Sequence, residues 1–223
     1  MMLISGCGLN QAETDKFGSG TIQMQAGTDN QNAKIQSSLS DQGFMRVDDG
    51  NNEIEIQEVK FFLEQFEMYG TRGTSDYELE ELDDFIVTLP LDGSPLTITQ
   101  GEVPAGFYIE FEIEIAKPGM DVQVTDSDFR DETGDYAVVV KGLYNGEEFM
   151  FRTPEDFEIE VELDTAMEFS ETKQSILVVE IFVPNWFMGG DGMLIDPNNQ
   201  SNHGTIKGNI EKSFEIFGES FDD

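Results

Sequence analysis

The chain has 223 residues, with 12 Lys and Arg against 46 Asp and Glu and a formal net charge of −34. Such a charge repels phosphate backbones and excludes nucleic acid as a partner, while 38% hydrophobic content with 18 phenylalanines is too rich in core formers for a disordered acidic tail. The length suits one all-β domain with tails, and the single cysteine excludes an internal disulfide and any multi-cysteine metal site.

That cysteine ends the opening stretch "MMLISGCGLN". The apolar run before it is far too short to cross a bilayer, which takes about 20 apolar residues. Leu3, Ile4, Ser5, Gly6 and Cys7 resemble the bacterial lipobox, an aliphatic residue and two small residues ahead of the cysteine that is acylated. Residues 1–6 then read as the remnant of a lipoprotein signal peptide, since only Met1 and Met2 stand where a basic region and longer apolar stretch are expected. The competing reading is an apolar strand with a buried cysteine. Residues 7–20 are polar, without apolar period, and read as the lipidated cysteine and a flexible tether. Gly8 stands where some lipoproteins carry an aspartate that retains them in the inner membrane, so the resemblance implies an outer-membrane anchor.

Strand signals run from 21 to 183. "GTIQMQA" is a strand, and "NEIEIQEVKFFLEQFEMY" is a long one that loses its phase near Val59, which predicts a bulge or a split. Asp92-Gly93 marks a turn between "FIVTLPL" and "PLTIT". "GFYIEFEIEI" alternates with Phe107, Ile109, Phe111, Ile113 and Ile115 on one face, and "DFEIEVELD" with Phe157, Ile159, Val161 and Leu163. Asn145-Gly146 joins two β-rich runs as a two-residue hairpin turn, and "ILVVEIFV" closes the series. Eight or nine strands separated by turns predict an antiparallel β-sandwich of Greek-key, prealbumin-like type, or a barrel.

Residues 184–223 read as a loop followed by an amphipathic helix packed on the sandwich. Ile206, Ile210, Phe214 and Phe217 share one helical stripe, Ser201 or Asn202 is placed to cap its start and Gly218 its end.

Recognisable catalytic motifs are few. There is no G-x-S-x-G, phosphate-binding glycine loop or H-E-x-x-H, and the sole histidine, His203, sits in a polar loop. Three features remain as candidates. Glu110, Glu112 and Glu114 form the polar side of one strand, and Glu158, Glu160, Glu162 and Asp164 that of another, a solvated face or a cation-attracting one. Asp126, Asp128, Asp131, Glu132 and Asp135 crowd "TDSDFRDETGD", an irregular calcium loop or an ordinary acidic turn, because Arg130, Asp131 and Ala137 break the EF-hand pattern. Trp186 beside Phe187 is a core residue or, if exposed, a carbohydrate platform.

"ITQGEVPAGFYIEFEIEI", "YNGEEFMFRTPEDFEIEVEL" and "NWFMGGDGMLIDPNNQSNHGTIKGNIEKSFEIF" together resemble the DUF4382-type lipoproteins of bacterial envelopes, an uncharacterised β-sandwich family. The resemblance implies a sandwich, an envelope location and no known activity. The expected function is therefore a lipid-anchored, non-catalytic envelope protein that binds or scaffolds. Its expected partners are the membrane through its lipid and an envelope protein or glycan; no cofactor is expected beyond calcium at the acidic loop. The alternative is a carbohydrate-binding or carbohydrate-active envelope protein, calcium-dependent if that loop holds the ion.

Overall fold

The computed structural model describes residues 16–27, 36–40, 43–72, 75–81 and 85–222. Cys7 and most of the expected tether lie outside them. The fold is all-β. In chain order the strands are β1 (Phe17–Ala26), β2 (Gln36–Leu39), β3 (Met45–Asp48), β4 (Glu53–Arg72), β5 (Ser75–Glu81), β6 (Phe85–Thr88), β7 (Leu96–Pro104) and β8 (Gly106–Ile115). There follow the two-residue pair β9 (Arg130–Asp131) and β10 (Gly134–Asp135), then β11 (Val138–Tyr144), β12 (Glu147–Thr153), β13 (Phe157–Phe169), β14 (Lys173–Ile181) and β15 (Phe214–Asp222), with, among the described residues, a single α-helix, α1 (His203–Ile210).

Two sheets enclose one core. The smaller has the order β15-β14-β1-β7, antiparallel except for the parallel pair β1 and β14, a departure from the purely antiparallel expectation. The larger is organised by β4, twenty residues long. On one side of β4 lie β3, β6 and β5 in succession; on the other lie β11 and then β8, backed by β12 and β13. Met24, Phe61, Phe66, Phe111, Phe151 and Leu177 are among the fully buried side chains between the sheets. Burying each such side chain contributes about 1.5–3 kcal/mol.

The phase loss near Val59 is a bulge, and β4 does not split. Lys141 pairs with Glu58 and Gly142 with Ile56, so Gln57 is the extra residue; a second skip falls at Glu64. The inward series 54, 56, 59, 61, 63, 66, 68, 70 absorbs both. Gly142 permits the first, since a Cβ there would stand 2.0 Å from the Glu55 carbonyl oxygen. A third bulge corrects the alternation expected of β8. Ile109 is skipped between Tyr108 and Glu110 on both flanking ladders, so Phe107 and Ile109 face outward while Tyr108 is buried.

Tyr108 then explains the Val103-Pro104-Ala105-Gly106 turn. The chain crosses here from the small sheet to the large one, and the Tyr108 hydroxyl donates to the Pro104 carbonyl at 2.9 Å. This is the arrangement of a tyrosine corner, which fastens a sheet-to-sheet crossing in sandwiches. Asn145 and Gly146 take the positive φ values of 51° and 83° expected of the hairpin turn.

The C-terminal expectation is half corrected. The helix ends at Ile210, and 214–222 form a strand on β14 with nine paired residues. Gly204 and Gly208 weaken the helix, and the aromatic and β-branched residues of 214–217 gain a full backbone ladder on the exposed side of β14. Ile206 and Ile210 are buried as expected, Phe214 is buried from the strand, and Phe217 faces outward. The Asn202 side chain makes no capping hydrogen bond to α1, and Gly218 lies within β15. The sandwich therefore spans 17–181 plus 214–222, and β1 begins inside the segment assigned to the tether.

Candidate functional site

The outward side of the large sheet is the most chemically distinctive surface, and β4 divides it in two. Along its second half, three strands stand in register: Gln65, Glu114 and Glu158 form one rung, Glu67, Glu112 and Glu160 the next, and Tyr69, Glu110 and Glu162 the third. Seven of the nine positions are carboxylates. Alternation brings each strand's acids to one side, and the register then sets them against one another, where like charges repel. Carboxylate oxygens of Glu112, Glu158 and Glu160 lie within 4.8 Å of each other.

Both Glu112 and Glu114 are held above the ordinary glutamate value. For Glu112 the causes are partial burial, then the charge of Glu158 and a hydrogen bond with it; for Glu114 they are partial burial, then the charges of Glu64 and Glu158. The Tyr69 hydroxyl hydrogen-bonds to Glu67 and, at 3.4 Å, donates to Glu112. This grid attracts positive charge. Its sequence signal was the alternation within each strand; the facing of one strand's acids by the next required the register.

Along the first half of β4 the same side is covered. Residues 116–137 cross it as a strap above a small core of Phe62, Phe129 and Val139, joined by Ile86, Val122 and Val124. Here stand the five carboxylates considered for calcium, and the structure does not gather them at a point. Asp126 and Asp128 both accept from Lys60 Nζ, the former at 2.7 Å, and Asp128 also accepts from Lys141 Nζ at 2.5 Å. Asp131 accepts from Arg152 at 2.6 Å and Asp135 from Arg130 at 2.6 Å, while Glu132 is exposed. Arg130 further donates to the carbonyls of Pro118, Gly119 and Val122. Cationic side chains thus occupy four of the five acids, and four of the chain's twelve Lys and Arg are spent there.

The electrostatics follow from those contacts. Burial pushes Asp128 up, and hydrogen bonds from Lys141 and Lys60 outweigh it and hold the carboxyl below its ordinary value. Burial pushes Lys60 down, and its bonds to Asp126 and Asp128 outweigh that and raise it. Asp131 is held well below the carboxylate range by hydrogen bonds from Thr133 and Arg152. Lys60 and Lys141 are the residues sequence reasoning missed. Lys60 lies 66 positions from Asp126, and no local pattern joins them.

Of the two readings of Trp186, core residue or exposed carbohydrate platform, the structure has the core one. Trp186 is 1% exposed, its Nε1 donates to Ser213 Oγ at 2.6 Å, and Ser213 Oγ donates to the Ile210 carbonyl at 2.7 Å. Asn209 completes the clasp with donations to the carbonyls of Trp186 and Met188. The indole joins the 183–187 turn to the end of α1 and offers no face to a sugar. His203 is half-buried, its Nε2 3.0 Å from the Pro197 carbonyl and its ring edge-on to Phe151.

Comparison with known proteins returned no match among protein-family models, curated proteins or solved structures.

Proposed function

We propose that this chain is a lipid-anchored, non-catalytic protein of the bacterial cell envelope, held at the outer membrane through an acylated Cys7 and acting as a binding or scaffolding module. The observation that carries the reading is the Leu3-Ile4-Ser5-Gly6-Cys7 run. Signal-peptide processing requires small residues directly ahead of the acylated cysteine, and the polar stretch after it suits a tether. The resemblance to DUF4382-type lipoproteins and the all-β sandwich support the same reading.

The binding half of the proposal rests on the acidic grid of β4, β8 and β13. A face of seven carboxylates concentrates counter-ions and favours a basic partner surface over an acidic one. The strap, in which Asp126, Asp128, Asp131 and Asp135 are paired with cationic side chains within the fold, contributes stability to this module.

The test is fractionation in the native host. The wild-type chain is expected with the membranes, and Cys7→Ser in the soluble fraction at similar abundance. Retention of Cys7→Ser on membranes would overturn the lipid anchor.

A further inference from the structure

The exposed aromatic residues of the sandwich are distributed unevenly between its ends. One end is built by the helix α1, the 183–187 turn and the Asn145-Gly146 hairpin turn, and its large apolar side chains, Trp186 and Phe187, are buried. The opposite end is where β1 begins. Phe17 pairs with Pro104, the Ala105 N–H donates to the Lys16 carbonyl at 2.9 Å, and Phe169 at the close of β13 pairs with Gly106. β15 finishes beside the same turns, with Phe221 opposite Gln174 and Asp222 opposite Lys173.

Around this end three phenylalanines are exposed: Phe17 at 40%, Phe107 at 51% and Phe221 at 49%, with Ile109 at 48% close behind Phe107. Phe17 and Phe221 lie on the outer side of the small sheet, since Gly20 and Gly218, each three residues away along its strand, face the interior against Phe169 and Met167. Phe107 and Ile109 lie on the outer side of the large sheet because of the bulge in β8. Apolar side chains therefore rim one end on both sides. An exposed, localised set of this kind marks an interaction surface.

We propose that this end rests on the lipid surface, with Phe17, Phe107, Phe221 and Ile109 seated at the headgroup and acyl boundary. The inference rests on the anchoring role of Cys7 proposed above. The occupant follows from chain length. Cys7 and Lys16 are nine residues apart in sequence. Nine residues reach at most about 30 Å fully extended. A lipid at Cys7 thus holds the Phe17 end nearer the bilayer than the opposite end, which lies a further ten-residue strand away. The lysines of this end are committed to glutamates, Lys16 to Glu171 at 3.0 Å and Lys173 to Glu168. Contact through the named apolar residues accordingly follows apolar partition, which scales with the apolar area buried.

The single cysteine makes the test direct. Full-length chain with a free Cys7 thiol is coupled to a maleimide-bearing lipid in phosphatidylcholine vesicles, and hydroxyl-radical oxidation is compared with the uncoupled chain. Phe17, Phe107 and Phe221 are expected to oxidise at least threefold more slowly when coupled. Met120 and Met150, exposed at 97% and 49% away from this end, are expected to be unchanged and serve as internal controls. Equal rates for the phenylalanines in both states would overturn the proposal, as would uniform protection of Met120 and Met150 along with them. Chemical coupling supplies the anchor whether or not the host acylates Cys7, so this outcome is separate from that of the fractionation experiment.

Discussion

Along the outward side of β4, Lys60 meets Asp126 and Asp128, while seven residues further on Glu67 faces Glu112. The two halves of one strand present the same excess of acid and opposite electrostatics. In the first half a strap delivers carboxylates to lysines, so Asp128 is held below its ordinary value. In the second half the ladder delivers carboxylates to carboxylates, so Glu112 and Glu114 are held above theirs. Acidity in this chain thus serves two purposes, fastening the fold in one half and leaving an attractive surface for positive charge in the other.

The sharpest way to break the comparison is at Lys60, whose side chain is 7% exposed. Lys60→Met leaves Asp126 and Asp128 with less compensation and should cost about 2–4 kcal/mol, below the ~3–5 kcal/mol of fully buried pairs because both aspartates keep some water contact. Urea melts measure it, and a cost under about 0.5 kcal/mol, typical of surface changes, would show the strap to be loosely held.

Acid and base should move the halves in opposite directions. The raised values of Glu112 and Glu114 mean that the folded state takes up protons more readily there, so their contribution is fully present below the ordinary glutamate range and is lost as pH rises through the raised values. The lowered value of Asp128 means the reverse: its contribution is present above the ordinary aspartate range and is lost as pH falls through the lowered value. Melting temperature should therefore rise on moderate acidification from neutrality and fall on stronger acidification. Lys60→Met should flatten the acid-side fall and leave the rise intact.

Glu112→Gln isolates the grid. Removing one charge from its centre should stabilise the protein at neutral pH by a few tenths to about 1 kcal/mol, the scale of cross-strand pairs. The gain should vanish once the carboxyls are protonated and shrink in salt, since the Debye length falls from about 10 Å at 0.1 M to about 3 Å at 1 M. A stabilisation that persists in 1 M salt would mean that packing, and not repulsion, governs this position. The smallest effect is the difference between ions: calcium and magnesium at matched ionic strength should shift the melting temperature alike. Stabilisation by micromolar calcium alone would instead identify a specific site, with ligand linkage to folding.

Much of this was legible in the sequence at the level of single strands. Alternation marked β8 and β13 and their acidic sides, and Asn145-Gly146 marked the hairpin, because both signals are local. What escaped depended on contacts between distant segments. The bulge at Ile109 turned Phe107 outward and Tyr108 inward, a change of side that one extra residue imposes and periodicity alone does not reveal. Residues 214–217 carry apolar spacing that suits a helix, yet the free side of β14 offered a ladder, and tertiary pairing prevailed over the local pattern. The acidic loop had calcium-like composition, and its lysine partners arrive from β4 and β11.

The functional account depends most on the anchor. Intact mass of the protein purified from its own host should correspond to a chain beginning at Cys7 with acyl chains added. A mass that retains residues 1–6, or a Cys7 thiol that reacts freely with alkylating reagent, would contradict it.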